Sequence, residues 1–188
     1  MSDRRTGNAI PLAIIGMMFF TVGFALGVNS YIVPLLENAL DVSSGQSYMI
    51  LAATFAAFLI FSYPATSVIF RIGYRRTIVL SFAIFAVGFL LFVPSAKLQS
   101  LPLFLVASFV CGTANTVLQA AINPYATYLG PIDTAARRIS IMGICNIIAW
   151  PVSPLFLSWL VGKSLDSMVL ADIIFPFYVL AGIFVILG

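Results

Sequence analysis

The sequence predicts an all-α polytopic membrane protein with six transmembrane helices. Of its 188 residues, 62% are hydrophobic and 8% are charged, whereas soluble domains carry about 25% charged residues. The mean hydropathy is +1.12. The charges fall in clusters between long uncharged stretches, and a helix needs about 20 apolar residues to span a bilayer. The predicted helices cover about residues 10–36, 44–70, 78–93, 101–128, 139–161 and 169–188.

Basic residues are distributed unevenly between the two predicted sides of the membrane. One side holds seven arginines and the other holds two lysines. Because short cytoplasmic segments are enriched in Lys and Arg, we expect the N-terminus and the loops after helices 2 and 4 to be cytoplasmic. An even number of helices returns the C-terminus to the same side. The seven are Arg4, Arg5, Arg71, Arg75, Arg76, Arg137 and Arg138, and the two are Lys97 and Lys163.

Helices 1 to 3 differ in polarity. In helix 1 the Gly23-x-x-x-Gly27 spacing permits close helix packing, and Asn29, Ser30 and Tyr31 place polar groups late in the span. Helix 2 has scattered polar residues and leads into a basic turn. Helix 3 is apolar all round apart from Ser81, a composition that suits lipid contact.

Helix 4 carries the most informative pattern. Asn115, Gln119, Asn123 and Thr127 recur every four residues, so they lie above one another on one slowly drifting stripe. Pro124 removes one backbone hydrogen bond at the same depth. Amides and freed carbonyls are costly in hydrocarbon unless they meet partner helices or a water-filled cavity. We therefore expect this helix to line a passage for a polar solute.

Helices 5 and 6 complete the pattern. Helix 5 contains Asn146 and Trp150 and is expected to kink at Pro151 and Pro154. Helix 6 is almost wholly apolar. Helices 1, 4 and 5 thus hold most intramembrane amides, and helices 3 and 6 hold almost none. This division predicts a cavity that the first group lines and the second group screens from lipid.

The composition also argues against other classes of protein. The chain has no His, which removes the commonest metal ligand and general base, so we expect no metal, no cofactor and no enzymatic activity. Cys111 and Cys145 both lie in apolar segments and are predicted to be unpaired packing residues. The net charge of +3 is too sparsely placed to form a nucleic-acid surface.

The run Asn123-Pro124-Tyr125-Ala-Thr-Tyr-Leu-Gly-Pro131 followed by Arg138 resembles the end of helix 4 in sugar transporters of the major facilitator superfamily, in the fucose–proton symporter and glucose/galactose transporter branch. Residues 29–34 and Asn146 fit the same family. The resemblance covers roughly residues 19–160 and implies one half of the superfamily fold, built as a 3+3 repeat, in a plasma membrane of bacterial inner-membrane type. Because such carriers have twelve helices, we expect residues 1–188 to be the N-terminal six-helix domain of a longer chain, paired with a C-terminal half or, alternatively, with a second copy of itself.

Two departures from that family concern coupling. The family usually has an Asp where this chain has Ser30 and a Glu where it has Gln119, and the resemblance implies that those acids serve proton coupling and sugar binding. A neutral hydroxyl or amide bonds a sugar but takes up no proton near pH 7. Coupling would then lie in the other half, use another cation or be absent.

The residues and the resemblance together predict a carrier for a sugar or related polyol that works by alternating access. An alternative cargo is a drug or nucleoside, and a further alternative is that the amides only bridge helices. Amides suit polyols because each both donates and accepts hydrogen bonds, and the aromatic residues would stack on an apolar sugar face. The predicted solute-binding residues are Asn29, Ser30, Tyr31, Gln119, Asn123, Asn146 and Trp150.

Overall fold

The computed structural model describes residues 9–188, with the side chains of residues 11–165 and 167–188. Arg4 and Arg5 of the predicted cytoplasmic set lie outside the described residues. The described chain is all-helical, and short 3₁₀ turns at Ile132–Thr134 and Leu165–Ser167 join its later helices. The helices are α1 (Ala9–Leu40), α2 (Ser44–Lys97), α3 (Leu101–Tyr128), α4 (Ala135–Val161) and α5 (Ile174–Leu187).

Four of the described helices are long and apolar enough to cross a membrane, and α5, with its 14 residues, is shorter. The 54 residues of α2 would extend about 80 Å at 1.5 Å per residue, far more than the hydrocarbon thickness of about 30 Å. Gly73 interrupts the helix with φ 80° and ψ 165°, a conformation that is open to glycine because it has no Cβ. Gly73 therefore separates a first segment of α2 (residues 44–72) from a second segment (residues 74–97). A longer basic turn was predicted here, between the helices at residues 44–70 and 78–93.

The last helix begins later than predicted, at Ile174 and not near Val169. The Asp172 carboxylate accepts a hydrogen bond from the backbone N–H of Val169 at 3.0 Å and pairs with Lys163 at 2.7 Å. These contacts accompany a turn at residues 170–173. Asp172 is thus part of the α4–α5 connection and not the first turn of a helix, and the ammonium of Lys163, followed by the Val169 N–H, lowers its pKa.

Other helices extend four residues beyond their predicted limits: α1 continues to Leu40, α2 continues to Lys97, and α4 begins at Ala135. Pro34 lies inside α1. Because proline has no N–H, the helix loses one backbone hydrogen bond there, but it continues to Leu40. The early start places Arg138 in the first turn of α4, where its side chain is buried.

α1 packs tightly against α4 through the predicted glycine pair. A Cβ on Gly23 would lie 1.9 Å from the carbonyl oxygen of Asn146, and one on Gly27 would lie 2.1 Å from the Ser153 hydroxyl. No side chain fits at such distances. The Gly23-x-x-x-Gly27 motif therefore brings the two helix backbones together, as small residues do at membrane helix interfaces.

The second segment of α2 and α5 share an aromatic core. Phe92 and Phe177 stack with ring centroids 4.9 Å apart, and Phe85 and Phe184 lie 4.8 Å apart. All four side chains are buried. These two apolar elements pack against each other and leave the polar residues of α1, α3 and α4 on other faces of the bundle.

Candidate functional site

The polar row of α3 passes from a helix interface to an open face. Asn115 is 1% exposed and its Nδ2 donates to the Val22 carbonyl of α1 at 3.5 Å. Its Oδ1 is buried with no partner among the described residues. Gln119 is half-buried and Asn123 is exposed. A four-residue spacing drifts about 40° per step around a helix, which is why one row meets α1 at one end and open space at the other.

Gln119 lines a cavity between α3 and the first segment of α2. The cavity has a volume of about 230 Å³ and is lined by Phe58, Ser62, Thr116, Gln119 and Ala120. The Thr116 hydroxyl donates to the Gly112 carbonyl at 2.8 Å, and the Ser62 hydroxyl donates to that of Phe58. The Gln119 carboxamide has no hydrogen bond within the described part of the chain. It therefore offers an acceptor and a two-proton donor to whatever occupies the cavity.

Asn29 has the opposite surroundings. It is 2% exposed; its Nδ2 donates to the Thr54 hydroxyl at 3.4 Å, and its Oδ1 accepts from the Ser108 hydroxyl at 3.3 Å. The Thr54 hydroxyl is also 3.4 Å from the Ser108 carbonyl. These contacts link α1, α2 and α3. In this conformation Asn29 bridges three helices and does not reach an open face, and its contact with the solute stays a prediction.

The other predicted residues of α1 and α4 meet at the seam between these helices. Asn146 Nδ2 donates to the Phe19 carbonyl at 3.2 Å. Trp150 Nε1 donates to the Ser30 hydroxyl at 3.2 Å, and that hydroxyl donates to Leu26 O at 3.0 Å. Trp150 remains 42% exposed, so the Ser30–Trp150 pair is a polar contact at an accessible edge.

Tyr31 lies apart from this pair. Its hydroxyl donates to the Leu165 carbonyl at 2.8 Å and lies 3.2 Å from the Met168 sulfur. It therefore ties α1 to the connection between α4 and α5.

Three contributions to the candidate site were not predicted as such. Phe58, Ser62 and Thr116 line the Gln119 cavity. The scattered polarity of the predicted helix 2 includes Ser62, but only the packing of α2 on α3 identifies which face meets Gln119. Within the described residues, no group of three or more His, Cys, Asp or Glu side chains is placed to hold a metal ion.

Arg138 caps the C-terminal end of α3, which carries the polar row. The sequence did not predict this role. Arg138 is 8% exposed, and all of its described hydrogen bonds go to uncharged oxygens. Positive charge at a helix C-terminus is favourable because the last carbonyls carry partial negative charge. Its acceptors are the carbonyls of Ala126, Thr127, Gly130 and Pro131 and the hydroxyl of Thr134.

Comparison with known proteins identifies the class. A sequence profile of the Major Facilitator Superfamily matches residues 15–188, and the chain belongs to this superfamily. It is thus a multi-pass membrane protein of a transporter family and not an enzyme, which confirms the predicted family.

Individual relatives refine the comparison. The chain is 36% identical over 181 residues to a glucose/galactose transporter of Brucella abortus, and this alignment covers 94% of this chain and 44% of the relative. It is 28% identical over 137 residues to the L-fucose-proton symporter of Escherichia coli K12, and this alignment covers 73% of this chain and 31% of the relative. The chain spans about half the length of the curated relatives it matches.

The fold has a matching solved structure. A crystal structure of a Major Facilitator Superfamily transporter in the outward conformation superposes with a TM-score of 0.77 at 23% identity, over 96% of this chain and 48% of that chain. At that identity the match shows the fold alone. The all-α superfamily fold predicted from the sequence is accordingly present.

Proposed function

We propose that this chain forms the N-terminal half of a carrier that moves a sugar or related polyol across a bacterial inner membrane by alternating access. The names of its relatives, a glucose/galactose transporter and an L-fucose-proton symporter, give the class of cargo. The observation that carries the proposal is the Gln119 carboxamide, which faces a cavity without a hydrogen-bond partner among the described residues.

The chemistry of the site favours a neutral, hydroxyl-rich solute. A carboxamide both donates and accepts, as a sugar hydroxyl does, and the cavity adds no described charge. Gln119 and Asn123 would contact the solute from α3. Ser30, Asn146 and Trp150 would contact the solute from the α1–α4 seam, after the hydrogen bonds that they make within the protein are replaced by hydrogen bonds to solute hydroxyls. Tyr31 would position the end of α1.

The arrangement in the membrane is part of the same proposal. The chain crosses the bilayer six times: by α1, by each segment of α2, by α3, by α4 and by α5. Both ends are cytoplasmic, on the side of Arg71, Arg75, Arg76 and Arg137. A C-terminal six-helix half, or alternatively a second copy of this chain, supplies the other wall, and rocking of the two halves exposes the site to each side in turn.

Coupling at this half is limited by the absence of carboxyl groups at two positions. Ser30 and Gln119 hold no titrating proton near pH 7, so the solute binds here without proton uptake by these residues. A proton or sodium gradient then drives transport only through groups elsewhere in the carrier.

Uptake by the full-length protein in proteoliposomes tests the proposal. We expect saturable exchange of labelled glucose, galactose or fucose, reduced by an excess of the same unlabelled sugar and not by nucleosides. Exchange of nucleosides or a drug without exchange of any sugar would overturn the cargo in favour of the alternative. Reporter fusions after residues 99 and 133 test the topology, because the first must be outside and the second cytoplasmic.

A further inference from the structure

A lateral crevice opens between α1, α4 and α5. It has a volume of about 290 Å³, and its lining includes Phe20 and Phe24 of α1, Phe156 of α4, and Ile183 and Leu187 of α5. The lining is apolar apart from the Thr21 hydroxyl, which donates to the Met17 carbonyl at 3.0 Å. In a membrane protein such a crevice takes apolar material and not water or sugar, because no polar group is left to bind them.

A second, larger cavity adjoins this crevice at the end of α1 where α2 changes direction. It has a volume of about 500 Å³, includes Leu187 in its lining as the crevice does, and also contains Tyr74, Arg75 and Tyr125. No Asp or Glu side chain lines it within the described residues, and Arg75 has no described ion pair. The two tyrosine rings lie 6.3 Å apart. This cavity, called here the Arg75 cavity, offers a cation and phenolic hydroxyls, which are groups that bind phosphate oxygens.

The two spaces meet at Leu187, which lines both, and together they extend over a definite length. Ile14 of α1 lines the Arg75 cavity and Phe24 lines the crevice. Ten helical residues rise about 15 Å, and this is half of the hydrocarbon thickness of about 30 Å. The path therefore has a charged end at the membrane surface and an apolar part as deep as one leaflet.

We propose that an anionic phospholipid binds along this path, with its phosphate at Arg75 and one acyl chain in the crevice between α1 and α5. The proposed orientation places this lipid in the cytoplasmic leaflet. The site is distinct from the Gln119 cavity, whose lining shares no residue with either space. A bound acyl chain completes the packing of α5 against α1 and α4, so the lipid stabilises the helix bundle without contacting the transported solute.

The test measures lipid-dependent stability of the full-length protein in detergent. Phosphatidylglycerol is expected to raise the melting temperature more than phosphatidylcholine of the same chain length. Inorganic phosphate and glycerol 3-phosphate, which lack acyl chains, are expected to have no effect. Equal effects of the two lipids would overturn the anionic part of the proposal, and an equal effect of free phosphate would indicate an anion site without a lipid.

Matched variants locate the site. Arg75→Gln is expected to weaken the phosphatidylglycerol effect roughly fivefold in half-maximal lipid concentration, the contribution of one basic residue near an anionic surface. Arg71→Gln is the control, because Arg71 is equally exposed on the other side of the Gly73 break and lies outside the lining. Equal losses in both variants would show diffuse charge attraction and overturn the site.

A second pair of variants tests the crevice. Ile183→Trp fills it, whereas Ile186→Trp changes a residue of the same helix that is 85% exposed and does not line it. We expect phosphatidylglycerol retained through purification, counted by native mass spectrometry, to be lost in the first variant and kept in the second. If the wild-type protein retains no phospholipid and Arg75→Gln changes nothing, other parts of the chain fill the space and the proposal is wrong. Sugar exchange by these variants is a separate measurement, so either proposal can fail without the other.

Discussion

Asn29 and Gln119 carry the same carboxamide group in neighbouring helices, yet the fold treats them in opposite ways. Asn29 is 2% exposed and bonds to the hydroxyls of Thr54 and Ser108. Gln119 has no described partner and lines a cavity. A buried amide with both functions bonded stabilises helix association, whereas an unbonded amide at a cavity is available to a ligand. Residue type alone therefore does not separate a structural amide from a binding amide; the facing helix does.

The largest expected effect is on transport by Gln119→Leu. Removing a group that hydrogen-bonds a solute in a desolvated site costs about 1.4 kcal/mol or more, which is at least a tenfold loss of apparent affinity or rate. The melting temperature should stay the same, because no described hydrogen bond is broken. Initial rates of labelled sugar exchange at several concentrations, with membrane expression as a control, measure the effect. Unchanged exchange would mean that Gln119 only fills space.

The next effect is on stability and concerns Asn29→Leu. This variant removes the hydrogen bonds that Asn29 makes to the Thr54 and Ser108 hydroxyls, at a cost of about 1 kcal/mol. For a chain of this size that lowers the melting temperature by roughly 2–4 °C. Asn38→Leu, on the same helix but at an exposed position, is the matched control and should change little.

The two variants together can break the comparison. If Asn29→Leu abolishes sugar exchange while the protein keeps its melting temperature, Asn29 reaches the solute in another conformation. The difference between the two amides would then describe one state of the carrier and not a division of roles.

A third variant, Gln119→Glu, sharpens the meaning of the missing carboxylate. A protonated carboxyl resembles the amide in shape and in donating one hydrogen bond, whereas the ionised form only accepts. We expect exchange to fall severalfold at neutral pH and to recover as the pH is lowered, in contrast to the wild-type protein. The measurement is the ratio of variant to wild-type exchange from pH 5 to pH 8. A flat ratio would show that no proton-sensitive contact is made at this position.

How far the sequence predicts these features depends on which interactions determine them. The apolar helices and their order follow from composition and charge spacing, and so does the Gly23–Gly27 interface. The break at Gly73 was expected as a longer turn, because one glycine at φ 80° gives the same change of direction without unwinding the residues around it. The six crossings stay a prediction.

The site was harder to predict, for a physical reason. The rotation of one helix against another decides whether an amide meets a hydroxyl or a cavity, and a single helix's sequence contains no information on that rotation. Thus the sequence predicts a solute contact for Asn29, Gln119 and Asn146 alike, although their surroundings in the structure differ. The role of Arg138 depends on the geometry of the turn at Gly130 and Pro131, which points its guanidinium back to the carbonyls of α3.

The smallest expected effect concerns a polar contact exposed outside the membrane, between Lys163 and Asp172. The Lys163 ammonium, followed by the Val169 N–H, lowers the pKa of Asp172 below its ordinary value near 4. A carboxyl whose folded pKa is lowered stabilises the fold above the unfolded pKa, and this stability is lost as the pH falls through the folded pKa. Because exposed ion pairs contribute little, Asp172→Asn should cost about 0.5 kcal/mol at pH 7. The melting-temperature difference between wild type and variant should shrink below pH 4. A difference that does not shrink at all as the pH falls below 4 would assign the effect to the turn geometry at Val169 and not to charge, so that this contact would resemble the hydrogen bonds of Asn29 more than an ion pair.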